Sequence, residues 1–525
     1  MAIQAVSFVN DDQRRRGPRL DEDAVTRQSA RMADPLAALS SWRDAPRARR
    51  LNDRPVRQPA AYVLCWLQQA LRGNDNPVID AAVRLGEAWR LPVLVYHGLR
   101  EDYPSASDRL HRFILGASRD LERDCRARGL ACVQFVDRAA KREKGLVYRL
   151  AAEAAAVVVE DQPGFVAQWQ PARFAARTEA VVVAVNAACV VPPLALEQGV
   201  RTTAAFRRRH QAARADWYGW TDEVATQPPY AGPLPYEPDA LADLSDAELD
   251  ALTAACAIDH KLPPSPLFPP TRAEVSRRLE RLRHEVLPAY AEQRRNPSTN
   301  AGASELSPYL HFGVVGPREI VAAVQAADVP AEEQVKYLDE LLTWREWFHY
   351  KARALPVPEA YGRVPDWARR ELAEHAGDPR PERETLRAMV EGETVDETWN
   401  AAQKQYLLDG WMHNNLRMYW AKRIIAMTAS PEVGWATACY LNDRLSLDGR
   451  DPSTYGNLAW AFGDAQPGYR RNPIYGLVPV RTDAHYRKQP GGPAWIAREA
   501  ARPRLGLEVP KGAPVRPYLT GELPI

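Results

Sequence analysis

The sequence predicts an α/β domain built on a parallel sheet, followed by an all-α domain. Three observations carry this. Short apolar runs alternate with helix-length amphipathic stretches between residues 62 and 185. Strand signals almost vanish beyond Thr271, and proline-rich stretches at 228–238 and 263–270 separate the two patterns. Proline breaks both regular structures, so residues 201–270 read as a linker carrying short helices.

Residues 1–57 mix Arg, Asp, Ser and Ala without sustained periodicity and are expected to form a loosely ordered arm. Tyr62–Trp66 is a short apolar strand, Pro77–Trp89 a helix and Leu91–Tyr96 the next strand. Arg109–Arg128 reads as a helix ended by Gly129, followed by strands at Ala131–Val136, Ala156–Glu160 and Ala180–Val185. Strands that are apolar throughout and separated by helices indicate a sheet covered on both faces, a Rossmann-like domain over residues 58–200. Such a sheet places a ligand beyond the carboxyl ends of its strands, here near Asn74–Asn76 or Glu160–Asp161. No Gly-x-Gly-x-x-Gly follows the first strand, which argues against a nicotinamide dinucleotide. Residues 271–490 form the helical domain and 491–525 a C-terminal extension.

Composition excludes several classes. No run of about 18 apolar residues occurs, and Met1–Gln4 lack the basic-then-apolar pattern of a secretory signal, so a soluble monomer without a membrane partner is expected. The six cysteines are scattered, which argues against zinc or a redox dithiol; no metal is expected, and reduced thiols point to a cytoplasmic setting. Lys and Arg number 69 against 67 Asp and Glu, so a nucleic acid would have to meet a local basic face. Clusters at Arg14–Arg16, Arg207–Arg209 and Arg470–Arg471 are candidates, although such runs are more often solvated surface.

The chemistry concentrates between Trp399 and Asp451. Gly410 can end one helix and let the next begin; on that next helix Asn414, Arg417 and Met418 fall at three- and four-residue offsets and share a face. Trp399, Trp411, Trp420 and Trp435 crowd the same stretch, although tryptophan is ordinarily core. Ser304 and Ser307 flank a helix start whose free amides could receive a phosphate, or are plain caps. Glu346 sits among Trp344, Trp347 and Phe348, either as a desolvated carboxyl or as a surface acid beside an aromatic stripe.

Taken together, these stretches resemble the photolyase and cryptochrome family, from about Leu51 to Arg487. Trp399-Asn-Ala-Ala-Gln403, Leu416-Arg-Met-Tyr-Trp-Ala-Lys422, Tyr440-Leu-Asn-Asp-Arg444 and Asp448-Gly-Arg-Asp-Pro452 resemble class II cyclobutane pyrimidine dimer photolyases. The resemblance implies the photolyase/cryptochrome fold, with FAD in the helical domain. It implies UV-damaged DNA, carrying a flipped pyrimidine dimer, as partner. It leaves open a second antenna chromophore, a folate or a deazaflavin.

By the same resemblance Tyr290, Ser304, Leu306, Ser307, Arg417, Asp448 and Arg450 hold FAD, with Arg417 and Asp448 an ion pair beside the flavin. Asn442 faces its reactive ring nitrogen. Glu346 hydrogen-bonds the dimer, Arg294, Trp344, Asn414 and Trp460 meet DNA or the lesion, and Trp399 and Trp420 begin an electron relay. Asn414 and Trp344-Arg-Glu346 resemble class I rather than class II. Met427 stands where class II has an exit tryptophan, leaving Tyr419, Tyr440 or Trp435 to complete the path. Asp464–Arg481 resembles the loop that fills the gap left by a flipped lesion, with Arg470, Arg471 and Arg481 in place of its usual basic residues.

The reading is an FAD-dependent carbon–carbon lyase that splits cyclobutane pyrimidine dimers by light-driven electron transfer. The alternatives are a cryptochrome-like blue-light photoreceptor without repair, and a flavoprotein that binds single-stranded nucleic acid without chemistry.

Overall fold

The computed structural model describes residues 32–520. The apolar runs become strands β1 (Ala48–Arg50), β2 (Tyr62–Leu67), β3 (Val93–Leu99), β4 (Ala131–Val136), β5 (Ala154–Glu160) and β6 (Val181–Val185). Their order is β1-β6-β5-β2-β3-β4, with β2 to β6 parallel and β1 antiparallel at one edge. β2, β5 and β6 are buried along their whole length, which is why they read as unbroken apolar runs. β3 begins at Val93, two residues later than the pattern suggests, because Pro92 has no amide to give a ladder.

The helix Pro77–Trp89 starts where the Asn76 side chain accepts from the amides of Val78 and Ile79 and Pro77 takes the first position. Asp75 takes the Nε of Arg318 at 2.5 Å. Glu160 accepts the amides of Gln68, Gln69 and Ala70 at 2.9, 3.0 and 2.8 Å. Both acidic stretches that the sequence offers as ligand positions are therefore occupied by the chain itself.

Part of the expected arm is ordered. Pro35–Leu39 is a helix capped by Asp34, β1 pairs with β6, and the buried Arg47 donates to the carbonyls of Cys189 and Val190, both at 2.7 Å. Residues 1–31, with Arg14–Arg16, lie outside the described residues. The proline-rich connection is laid across the sheet: Tyr236 packs between Tyr96 and Phe135, and Asp239 accepts the amide of Val136 at 2.8 Å. The C-terminal extension folds back on the helical region, burying Trp495 and Ile496 and placing the hydroxyl of Tyr518 on Asp443 at 2.9 Å. Among the described residues no helix is long and apolar enough to cross a membrane, and no group of His, Cys, Asp and Glu could hold a metal ion.

One side chain joins the sheet region to the helical region. Arg109, in the first turn of the helix Asp108–Ala127, is fully buried. Its guanidinium donates to the carbonyls of Tyr406 (2.8 Å), Leu407 (2.8 Å) and Leu445 (2.7 Å), and its Nε to Pro263 at 3.2 Å. The first two belong to a π-helical turn, Gln405–Asp409, that ends at Gly410 with φ +73°. A Cβ at Gly410 would lie 3.1 Å from the Arg109 Cδ and 3.3 Å from Leu447, so the turn needs both the left-handed backbone and the missing side chain. Leaving buried carbonyls unpaired costs about 1–3 kcal/mol each, so Arg109→Met should destabilise the protein by several kcal/mol. A denaturant midpoint within experimental error of the parent would show that these bonds carry no weight.

Candidate functional site

A cavity of about 410 Å³ opens within the helical region. Four segments build it. The first is Asp339–Arg345, a π-helical turn running into the helix Glu346–Arg353. Its wider turn places Glu340, Leu341, Trp344, Arg345 and Phe348 on the cavity wall. Glu346 lies two residues beyond Trp344, about half a helical turn away, and points the other way. Only 2% exposed, it accepts the amides of Val190 (2.6 Å) and Val191 (3.2 Å) and the Nε2 of His210 (2.8 Å). The sequence expectation that Glu346 meets a lesion is thus corrected: this carboxylate ties the helical region to the loop after β6. On this segment the carboxyl that lines the cavity is Glu340, paired with Arg294 and Lys336, both at 2.9 Å.

The second segment is the turn before the helix Ser307–His311. Gly302 lies so close to Gln293 and Arg294 that a Cβ would meet their backbone within 2.5 Å. Glu305 adopts a left-handed φ of +56°, with its carboxylate held by Arg278 at 2.8 Å. This fixed turn brings Ser304, Leu306 and Ser307 to the wall beside Tyr290 and Arg294. Ser304 Oγ accepts from the hydroxyl of Tyr337 at 3.0 Å and Ser307 Oγ from the indole N–H of Trp411 at 3.1 Å.

The helix Asn414–Met427 supplies the third. Asn414, Arg417 and Met418 share the face the spacing predicts, and all three line the cavity. Arg417 Nη2 donates to Asp448 at 2.6 Å, and the guanidinium lies 5.4 Å over the ring of Tyr406. Burial raises the Asp448 carboxyl, but the charge and hydrogen bond of Arg417 outweigh it and hold the group below the ordinary carboxylate range. The helix begins at an unusual cap, His413, whose Nδ1 accepts the amide of Asn415 at 3.2 Å. Burial, reinforced by the Arg417 charge, pushes His413 down to about 4, so the ring stays neutral and keeps its acceptor.

The helix Pro452–Ala461 supplies the fourth, with Ser453, Asn457 and Trp460 on one face. Trp460 meets Trp344 edge to face, ring centroids 5.1 Å apart at 87°. The loop after it leaves Tyr469 fully exposed, while Arg471 is paired with Glu371 at 2.9 Å and Arg481 donates to Asn415.

Two expected cofactor contacts are turned elsewhere. Asn442 is buried with its Oδ1 on the hydroxyl of Tyr406 (3.1 Å) and its Nδ2 on Asp443 (3.3 Å), and is not among the lining residues. Arg450, at φ +63°, donates to backbone carbonyls of Asp443 and Ser446 and borders a second cavity instead. Behind the Arg417 wall, Tyr406 meets Trp420 edge to face at 5.4 Å, and Trp420 stacks on Trp399 at 6.1 Å and 7°. Both indoles are buried and hydrogen-bonded, Trp399 to the Trp420 carbonyl and Trp420 to Gln403.

The second cavity, of about 340 Å³, lies beyond the carboxyl ends of β2, β3 and β4. Trp66, Tyr96, Tyr103, Phe135, Phe174 and Arg173 line it. The strand-end rule holds here, at residues the sequence does not single out.

The family model described as DNA photolyase matches residues 63–229. The deoxyribodipyrimidine photo-lyase of Methanothermobacter thermautotrophicus is 29% identical over 462 residues, 85% of this chain and 96% of that protein. Over most of its length the chain thus resembles the photolyase/cryptochrome family. The deoxyribodipyrimidine photo-lyase of Potorous tridactylus is 38% identical over 200 residues, 37% of each chain. Two solved structures share the photolyase/cryptochrome fold. One is a cryptochrome of Synechocystis, with TM-score 0.61, 16% identity, and 84% of this chain and 88% of that one covered. The other is an archaeal photolyase of Sulfolobus tokodaii with two FAD molecules, with TM-score 0.55, 18% identity, and 78% and 85% covered.

The His413 cap makes the helix Asn414–Met427 sensitive to acid. The folded His413 titrates near 4 and the unfolded one near the ordinary 6.5. Its contribution to stability is therefore complete above about pH 6.5 and is lost as pH falls toward 4, on the order of 1–2 kcal/mol by pH 5. His413→Asn keeps a capping oxygen that does not titrate, so its denaturant midpoint should fall less between pH 7 and pH 5 than the parent's. Equal falls would remove His413 as a cause.

Proposed function

We propose that this protein is an FAD-dependent, light-driven DNA lyase that splits cyclobutane pyrimidine dimers. Class II enzymes are its nearest counterparts in motif. One observation carries the reading: a single cavity joins a hydroxyl-lined, ion-paired wall to an aromatic mouth with a carboxyl at its edge. The residues present fit FAD. Ser453 Oγ is buried on the wall with no hydrogen-bond partner among the described residues, and the Ser304 and Ser307 hydroxyls stand beside the amides of a helix start, where a pyrophosphate is accommodated. The Arg417–Asp448 pair, next to Ser307, would hold the ring system beside them.

When bound and reduced, FAD supplies the light absorption and the electron that opens the cyclobutane ring. The chain supplies the rest. Trp344 and Trp460 offer two indole faces set at right angles, a corner that takes a bent pair of pyrimidines lifted from the duplex. Glu340 can accept a hydrogen bond from a base N–H at the mouth. Arg294, 2.9 Å from Glu340, places positive charge where negative charge develops on the lesion. Both act without rearrangement because each already holds the other. The cavity at the ends of β2, β3 and β4 is where an antenna chromophore fits on this reading; a folate and a deazaflavin both remain candidates.

The similarity to the Synechocystis cryptochrome favours one second reading, a photoreceptor that does not repair. One assay separates the two. Protein loaded with FAD and reduced anaerobically is mixed with a thymine-dimer oligonucleotide, illuminated with blue light, and the product separated by chromatography. Repair is the expected result; flavin bound without repair would favour the photoreceptor. Glu340→Gln should leave FAD bound and lower the repair yield per absorbed photon by about tenfold, the scale of one charge-assisted contact. Glu346→Gln should leave the yield near the parent's and lower thermal stability. The opposite pattern would return Glu346 to the lesion.

A further inference from the structure

We infer that Tyr419 is the terminal electron donor of the relay that begins at Trp420 and Trp399, with Asp396 as its proton acceptor. This rests on the functional reading above, because only a flavin photo-oxidant draws electrons along the stack. The two indoles are parallel and 6.1 Å apart, and Trp399 stacks on no further ring among the described residues. Met427, behind it, is fully buried, and a thioether does not replace an indole as a hole carrier.

Asp396 decides which side chain comes next. It caps the helix Glu397–Lys404: its Oδ1 accepts the backbone amide of Trp399 at 2.9 Å. Its Oδ2 accepts the hydroxyl of Tyr419 at 2.5 Å. The backbone amide of Trp399 and the hydroxyl of Tyr419 therefore share one carboxylate, and Tyr419 is the chain neighbour of Trp420. A phenol gives up an electron readily only if its proton leaves too, and here the acceptor is in contact. Burial and Asp396 push the Tyr419 phenol far above its ordinary range, so it keeps its proton until it is oxidised.

The other two candidates lack this. Trp435 donates to the carbonyl of Glu359 at 3.0 Å and packs on Tyr361 and Phe462 rather than on either relay indole. Tyr440 accepts from Arg444 at 2.7 Å with that guanidinium 5.9 Å over its ring, and a cation there opposes oxidation. Tyr486 meets Tyr419 at 5.5 Å, but its hydroxyl donates to a neutral carbonyl, that of Asn415, and Arg481 covers its ring. The hole stops at Tyr419.

The step balances. With a bound oxidised flavin as photo-oxidant, one electron would leave through Trp420 and Trp399, and Trp399 would be left as an indole cation radical. Tyr419 returns one electron to that indole, its O–H bond breaks, and the proton passes to Asp396 Oδ2. The products are a neutral indole, a neutral tyrosyl radical and a carboxylic acid. Tyr419 is only 2% exposed, so an electron from a thiol in solution reaches the radical through the protein, and Asp396 gives the proton back. Arg423, whose Nε lies 2.6 Å from Asp396, also contacts Glu382, so its charge stays balanced when Asp396 is protonated.

The test is electron paramagnetic resonance of the full-length, FAD-loaded protein after a light pulse. The expected radical narrows when the protein carries ring-deuterated tyrosine, and it forms more slowly in heavy water. Tyr419→Phe should abolish it and leave a tryptophan-type signal. Asp396→Asn keeps a capping oxygen for Trp399 and removes the base, so it should slow the tyrosyl signal about tenfold or more. Circular dichroism confirms that both variants fold. A tyrosyl signal that survives Tyr419→Phe overturns the inference, as does a parent whose signal rests on tryptophan alike in light and heavy water. Flavin bound with no protein radical overturns the inference and leaves the repair assay standing. Protein that binds no flavin overturns both.

Discussion

The Arg109 guanidinium, closed on three carbonyls and a fourth through its Nε, is the contact on which the geometry of the site depends. It reaches from the sheet region into the junction of two helices, pinning the π-helical turn before Gly410 and the last turn of the helix Pro431–Leu445. The amide of Leu447 donates to the Gly410 carbonyl at 2.8 Å and locks the two ends together. From one end the chain runs through Trp411 and His413 to Arg417. From the other it runs through Ser446 to Asp448. The Arg417–Asp448 pair closes the loop between them. A donor with five N–H groups suits this place because the carbonyls of helix ends have no partners of their own.

Buried charge elsewhere follows the same logic of obligate pairing. Glu346 sits among backbone amides and His210, Asp75 and Asp44 share Arg318, and Asp161 takes Arg49 and Arg353. Each joins segments far apart in the sequence, so these ions fix how the sheet, the linker and the helices meet. Around the cavity, by contrast, Glu340 and Arg294 retain partial exposure and lie on the wall. The difference separates acids that build the scaffold from one that is partly exposed on the cavity wall.

Much of the fold was legible because burial on both faces imposes an unbroken apolar pattern. β2, β4, β5 and β6 lie where Val, Ala and Leu runs put them, and the helix Pro77–Trp89 begins and ends as its Asn76 and Pro77 require. β1 was not legible: three residues with two arginines carry no strand signal, and pairing with β6 alone makes them one. In the site, helical phase made Asn414, Arg417 and Met418 readable as one face, and motif order pointed to Trp344 and Trp460. The sequence singles out Glu346 and does not reveal Glu340 on the cavity wall, for a physical reason. The π-helical turn at Asp339–Arg345 shifts the phase, and an acid beside aromatics says nothing of the direction it faces. Arg109 offered no signal at all, since its partners are backbone atoms some 300 residues away.

The central claim is that lesion and cofactor share the cavity bounded by Arg417, Asp448, Trp344 and Trp460. Its most direct test is a crystal structure of the FAD-loaded protein bound to a duplex carrying one thymine dimer. The expected result is the flipped dimer in the corner between Trp344 and Trp460, with the Glu340 carboxyl within hydrogen-bond distance of a base and the flavin against the Arg417–Asp448 wall. A dimer seated away from both indoles, or a flavin in the cavity at the ends of β2, β3 and β4 alone, would contradict it.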